Sequence, residues 1–265
     1  MKLKLFLLIL CISTVLIPTV INAESISNEM KVAIIIDDFG GKVKGVNEFF
    51  EANIPITVAV MPFLDQSKQQ AELAHDLGLE VMIHLPLQPK KGKTSWLGPK
   101  PITKDLPLDE IKKRVVEAIE SVPHAKGMNN HMGSLIVEDE AIMRVILETA
   151  KENNLYFIDS GTNPKSVIPK LAEELGVPWA MRDVFLDDTL SSSRHVYKQM
   201  HRLIRVAERK GHGIAIGHVG VKGEATVKGV KEAVKDFEQK KVHIVPASHL
   251  LQSKIEKKPD YFWQE

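Results

Sequence analysis

The sequence predicts an α/β fold built as a (β/α) barrel, and three observations carry that prediction. About eight short, β-branched apolar runs alternate with helix-like stretches along the 265 residues, the pattern of a parallel sheet with helices outside it. No boundary or low-complexity segment divides the chain. Carboxylates, imidazoles and amides recur immediately after the apolar runs. In such barrels that position is the C-terminal rim, where active sites lie.

The elements follow in order. Val32–Ile36 and Ile56–Val60 read as strands, followed by helix-like Val43–Glu51 and Lys68–Leu77. Glu80–Ile83 is the third strand. The stretch from Pro86 to Pro107, rich in Pro, Gly and Lys, is too long for a tight connection and reads as a functional loop. Asp109–Ser121 is an amphipathic helix with Ile111, Val115, Ala118 and Ile119 on one face. A strand near Ala125–Asn129, a helix Asp139–Glu152 and a short run Leu155–Ile158 come next. Then follow a helix Val167–Leu175, a weaker strand Val177–Met181 and the longest helix, Ser191–Lys210, with Ser191 to Ser193 as N-cap candidates. Gly213–Ile216 and Val242–Val245 are the last strands, separated by a helix near Ala225–Gln239. The polar tail from Lys254 to Glu265 packs or frays.

Composition narrows the chemistry. The chain is 44% hydrophobic, 6% aromatic and 26% charged, which is ordinary for a globular protein. Lys2 and Lys4, then an apolar run from Leu5 to Val20 and a small residue at Ala23, read as a secretory signal over residues 1–23. The run is interrupted by Ser13, Thr14 and Pro18 and is short for a membrane span. The expectation is an exported domain of residues 24–265 with no stable membrane anchor. Cys11 is the single cysteine and lies in the leader, behind the bulky Leu10, which argues against a lipid anchor. The exported domain then has no thiolate, so any metal must be held by His, Asp or Glu. Losing Lys2 and Lys4 takes the 35 basic residues to 33 against 34 acidic ones. That balance lacks the basic footprint of a nucleic-acid binder and suits a neutral glycan.

Six apolar runs deliver polar groups to one rim. Ile36 is followed by Asp37 and Asp38, Ile83 by His84, and Met128 by Asn129, Asn130 and His131. Ile158 is followed by Asp159, Met181 by Arg182, and Gly217 by His218. Each has a plainer reading. Asp37-Asp38 suits a helix cap, His84 a buried hydrogen-bonded histidine, Asn129-Asn130 a turn, and His218 a loop. Scattered surface residues would not respect strand ends so consistently. Asp and His are suited to Zn²⁺ and similar ions, and three ligands leave a position open for water. Adjacent carboxylates on an extended strand point to opposite faces. One can ligate a metal while the other takes a proton from water, and a second imidazole can protonate the leaving group.

At this point the motifs match a family. Ile35-Ile36-Asp37-Asp38-Phe39-Gly40, His84-Leu85-Pro86-Leu87-Gln88-Pro89, Gly127-Met128-Asn129-Asn130-His131-Met132-Gly133-Ser134, Phe157-Ile158-Asp159-Ser160 and Ile216-Gly217-His218 resemble the divergent polysaccharide deacetylases of bacteria. The resemblance runs from about Lys31 to Leu250. It implies a distorted (β/α) barrel of the deacetylase type and metal-dependent removal of N- or O-acetyl groups from a polysaccharide. Carried over, Asp37 is the general base, Asp38 and His84 are metal ligands and His218 is the general acid. The wider family places a second histidine four residues after the first, where this chain has Gln88, and an Arg-x-Pro-Tyr motif where it has Asn130-His131. His131 is therefore expected as the third ligand, of Zn²⁺ above all. Arg182 is expected to replace the missing arginine, and Asp159 to orient His218. Asn129, Asn130 and Trp96 are expected to meet the substrate, Trp96 by stacking on a sugar face.

Two other functions fit the same residues. A barrel that keeps the metal but only binds glycan fragments would show no turnover. A retaining glycosidase would need two carboxylates about 5 Å apart, for which Asp37 and Asp159 are available, but it leaves the histidines without a role.

Overall fold

The computed structural model describes residues 29–252 except residue 189. The expected leader, Cys11 and the tail from Lys254 lie outside the described residues. Among the described residues no helix is long and apolar enough to cross a membrane.

The strands form one sheet, in the order β6 (Trp179–Met181), β5 (Tyr156–Asp159), β4 (Ala125–Met132), β3 (Glu80–Leu87), β2 (Thr57–Val60), β1 (Met30–Phe39), β8 (His212–His218) and β7 (Val184–Phe185). All their pairings are parallel. β1 is the hub. One of its edges pairs with β8 from Lys31 to Asp37. The other is shared, by β9 (Val242–Ile244) at Met30–Val32 and by β2 from Ile35 onward.

The expected eight-strand barrel is therefore corrected in two respects. The two-residue β7 carries no periodic signal and was not anticipated. The sheet also ends at β6 and β7, which share no strand pairing, so it curls without closing. The distorted barrel implied by the family motifs is what the chain forms.

The helices sit close to their expected positions. They are α1 (Val46–Phe50), α2 (Ser67–Asp76), α3 (Leu108–Ser121), α4 (Glu140–Glu152), α5 (Ile168–Leu175), α6 (Ser193–Lys210) and α7 (Gly223–Val234). Asp139 caps α4 by accepting from the Ile142 amide, and Ser192 caps α6 by accepting from that of His195. Each satisfies an amide the first helical turn would leave unpaired.

Alternation along the strands sorts their residues between two cores. Val32, Ile34 and Ile36 of β1 pack beneath the helices, with Met128 of β4 and Phe157 of β5. Ala33, Ile35, Met82, Ile158, Ile214 and Ile216 fill the inside of the curl. Burying each large aliphatic side chain contributes about 1.5–3 kcal/mol, so register is strongly fixed on both faces. The turn Ala247–Leu250 closes the floor, with the Ala247 amide donating to Thr57 Oγ1 at 3.0 Å. Continuing the inward series by twos reaches Asp37, His84, Asn129, His131 and His218 at the opposite rim.

Candidate metal centre and its proton-transfer groups

Register alone brings the first partners together. Asp37 lies opposite His218 across β1 and β8, and His84 opposite Asn129 across β3 and β4. Asp38 belongs to the outward series by count. Its φ of 70° and the register shift between Ile36 and Phe39 break the alternation and turn its carboxylate to the rim. Both carboxylates of the pair thus serve one site, which extended geometry alone forbids. A non-glycine residue in this region costs of order 1–3 kcal/mol, and such strain clusters at functional sites.

Three donor atoms converge. Asp38 Oδ1 is 3.3 Å from His84 Nε2 and 3.1 Å from His131 Nδ1, and the two nitrogens are 2.9 Å apart. The remaining ring nitrogens fix the tautomers. His84 Nδ1–H donates to Asn129 Oδ1 at 2.6 Å, leaving Nε2 a lone pair. His131 Nε2–H donates to the Trp96 carbonyl at 3.0 Å, leaving Nδ1 a lone pair. Asp38 Oδ1 is buried without a hydrogen-bond partner. Burial works to raise the Asp38 carboxyl, but contact with His131 and His84 outweighs it and holds the group well below the ordinary range. Two lone pairs and an ionised oxygen facing one point are what a divalent cation requires. Tetrahedral zinc, with bonds of about 2.0–2.2 Å, separates its ligand atoms by about 3.3–3.5 Å, so small side-chain shifts admit it. Among the described residues these three form a set able to hold a metal.

Asp37 lies beside this set and is 1% exposed. Asn129 Nδ2 donates to its Oδ1 at 2.8 Å, and its Oδ2 is 3.6 Å from His84 Nδ1. Burial raises its pKa, opposed by His84, His218 and the Asn129 hydrogen bond. It is a carboxylate made more basic than usual.

His218 is held by Asp187. Its Nδ1 is 2.7 Å from Asp187 Oδ1, and its backbone amide donates to Asp187 Oδ2. Thr226 Oγ1 also donates to Oδ2. Burial works to lower the imidazole, but Asp187, Asp38 and Asp37 together raise it to about 9. His218 is thus an acid at neutral pH, and with Asp38, Phe185, Asp187 and Val221 it lines a cleft of about 510 Å³.

Several expectations need correction. Asp159 does not orient His218; Asp187 does. Asp159 shares the outward parity of Phe157, and its Oδ1 accepts from the Gly161 amide at 2.8 Å. Asn130, expected at the substrate, is 1% exposed. Its amide donates to Met132 O and accepts from the Ser160 amide, so it braces the loop after β5. Asn129 is fully buried and bridges Asp37 and His84 instead of meeting a ligand. Arg182 is pinned by the Ser160 and Gly161 carbonyls at 2.6 and 3.2 Å. Burial lowers it, while the charges of Asp159 and Asp37 act to raise it.

The Pro86–Pro107 loop does reach the site, through the Trp96 carbonyl, and the Trp96 side chain is 58% exposed. Gln88, at the place of the wider family's second histidine, closes that loop by accepting from the Lys104 amide at 2.8 Å. Asp187 was missed because it follows only a two-residue strand. Its one sequence signal was the short apolar run Val184-Phe185-Leu186 before an Asp-Asp pair.

Comparison with known proteins identifies the family and the fold. The family model described as divergent polysaccharide deacetylase matches residues 34–251. The uncharacterized protein YibQ of Escherichia coli K12 is 35% identical over 226 residues, covering 83% of this chain and 67% of that protein. The fold is similar to that of an uncharacterized protein of Agrobacterium tumefaciens C58, with a TM-score of 0.77, 18% identity and coverage of 84% and 89% of the two chains. It is also similar to a family 4 carbohydrate esterase from Streptomyces lividans in complex with acetate, with a TM-score of 0.53, 11% identity and coverage of 84% and 96%. With that family model matched over most of its length, this chain belongs to the divergent polysaccharide deacetylase family.

Proposed function

We propose that this protein is a metal-dependent hydrolase that removes acetyl groups from a cell-wall or other extracellular polysaccharide. The observation that carries the reading is the convergence of Asp38, His84 and His131 between a base of raised pKa, Asp37, and a protonated imidazole, His218. Family membership and the carbohydrate esterase neighbour support it.

Asp38, His84 and His131 would hold the ion, most naturally Zn²⁺. When bound, it supplies a water of lowered pKa and polarises the acetyl carbonyl. Asp37 takes the proton from the attacking water as the oxygen bonds to the carbonyl carbon. Asn129 keeps the Asp37 carboxylate facing inward for that transfer. The C–N or C–O bond to the sugar then breaks, and His218 gives its proton to the departing nitrogen or oxygen. Asp187 holds the imidazole in the tautomer that presents Nε2. Acetate and the free sugar amine or hydroxyl leave. Trp96, exposed on the loop beside His131, would stack on a sugar face.

The test is metal analysis of the purified protein, with acetate release from acetylated glycans measured before and after chelation. The reading expects about one ion per chain and release abolished by chelation. Asp37→Asn and His218→Ala should each lose about 10²- to 10⁴-fold in rate while keeping the metal. Wild-type rates in both variants would overturn the assigned roles. Glycan binding without any acetate release would make the protein a binder.

A further inference from the structure

The helix α6 carries a charge pattern that the hydrolytic site does not use. Arg194, Lys198, Arg202, Arg205 and Arg209 are all exposed. At 100° per residue they fall within a sector of about 80° and form a stripe about 22 Å long. The helix contains one acidic residue, Glu208. Among the described residues none of the five cations has an ion-pair partner, whereas Lys112, Lys113 and Arg114 of α3 are paired with Glu152 or Glu110. Like charges three and four residues apart destabilise a helix. The fold thus tolerates repeated repulsion on this face and gains no ion pair from it among the described residues.

The neighbouring helix α7 packs against α6 but is of mixed charge: Lys228, Lys231 and, just past its end, Lys235 line a separate groove with Glu48, Glu224 and Glu232, and Asp236 contacts Tyr197 and His201 at the edge of α6. The unpaired positive charge is that of α6 itself, in a chain whose formal net charge is only +1. At the N-terminal end of α6, just ahead of its cap, Leu190 is 88% exposed.

We propose that the outer face of α6 docks on an anionic lipid bilayer. A bilayer surface meets the whole length of the stripe at once, and its headgroup phosphates complement the unpaired arginines. A bilayer also covers an apolar side chain such as Leu190, which a soluble polyanion leaves in water. Docking along α6 would lay the side of the barrel on the membrane, with the rim of the metal centre open laterally to polymer near the surface. The surface stands apart from the hydrolytic reading and does not depend on it.

The experiment is sedimentation of the full chain with vesicles of pure phosphatidylcholine and with vesicles containing 30% phosphatidylglycerol. The readout is the difference between the two, because apolar contributions from elsewhere in the chain are common to both. Lys198→Glu/Arg202→Glu/Arg205→Glu should lose the phosphatidylglycerol-dependent part by on the order of a hundredfold, and 0.5 M salt should do the same to the wild type. Lys68→Glu/Lys91→Glu/Lys165→Glu, an equal charge change at exposed positions on other faces, should leave it nearly intact. Binding indifferent to phosphatidylglycerol, or equal in the α6 variant and the wild type, overturns the proposal. So does capture by soluble polyphosphate without binding to vesicles.

Discussion

The Asn129 side chain holds His84 with its oxygen, 2.6 Å from Nδ1, and Asp37 with its nitrogen, 2.8 Å from Oδ1. On the proposed roles, one buried amide therefore fixes both the tautomer of a ligand and the orientation of a base. Partners of this kind typically account for 10- to 100-fold in metal affinity. Asn129→Ala should weaken zinc binding by about that factor in calorimetric titration. Asn129→Asp keeps an acceptor for His84 but sets a carboxylate against Asp37, so it should retain more zinc affinity than the alanine variant while losing more turnover. Equal zinc affinity in wild type and Asn129→Ala would show that the bridge does not orient the ligand.

His131 as the proposed third ligand is the clearest departure from the wider family. His131→Ala should lose most of the bound metal, because only Asp38 and His84 remain. Gln88→Ala should keep it, since Gln88 Oε1 serves the Lys104 amide. Elemental analysis of both variants decides the matter, and full occupancy in His131→Ala would remove that residue from the set.

The dyad of His218 and Asp187 predicts a pH dependence. The folded-state pKa of about 9 lies above the ordinary value of 6.5. The acid form, with the stability it brings, is therefore fully present below about pH 6.5 and lost as pH rises through 9. Activity should fall on the same alkaline limb, and a bound cation would draw that limb to lower pH by repelling the imidazolium. The acidic limb should report Asp37, whose raised pKa delays its ionisation on the way up from low pH. Asp187→Asn removes the strongest force raising the His218 pKa, so its alkaline limb should move to lower pH. An unmoved limb in the kcat/KM profile would detach it from this dyad.

The floor of the curl tests packing independently of catalysis. A Cβ at Gly127 would collide with the ring of Tyr156. That ring is held by the bond from Tyr156 Oη to Glu80 Oε1 at 2.9 Å. Gly127→Ala should therefore destabilise the fold by about 1–3 kcal/mol, lowering Tm by roughly 2–12 °C in a chain of this size. Tyr156→Leu in the same background should recover part of the loss, and a wild-type melting temperature in Gly127→Ala alone would refute the contact.

What the sequence determined by itself was the succession of elements and the polar rim. Period-two alternation in runs such as Val32–Ile36, followed at once by Asp37 and Asp38, is local information, because side-chain direction along a strand depends only on residue count. The same count, followed further, assigns Asp159 to the outer face with Phe157, and would have kept it from His218. Three features needed the tertiary structure. The left-handed turn at Asp38 overrides the alternation, and a bulge of that kind is set by pairing with β2 rather than by any neighbour in sequence. Asn129 and Asn130 look alike in sequence, yet one faces the site and the other braces a loop, because adjacent residues of β4 point to opposite sides. Asp187 meets His218 across 31 residues and a strand too short to leave a periodic trace. That meeting depends on β7 pairing with β8, a non-local hydrogen-bond ladder which only the folded sheet supplies.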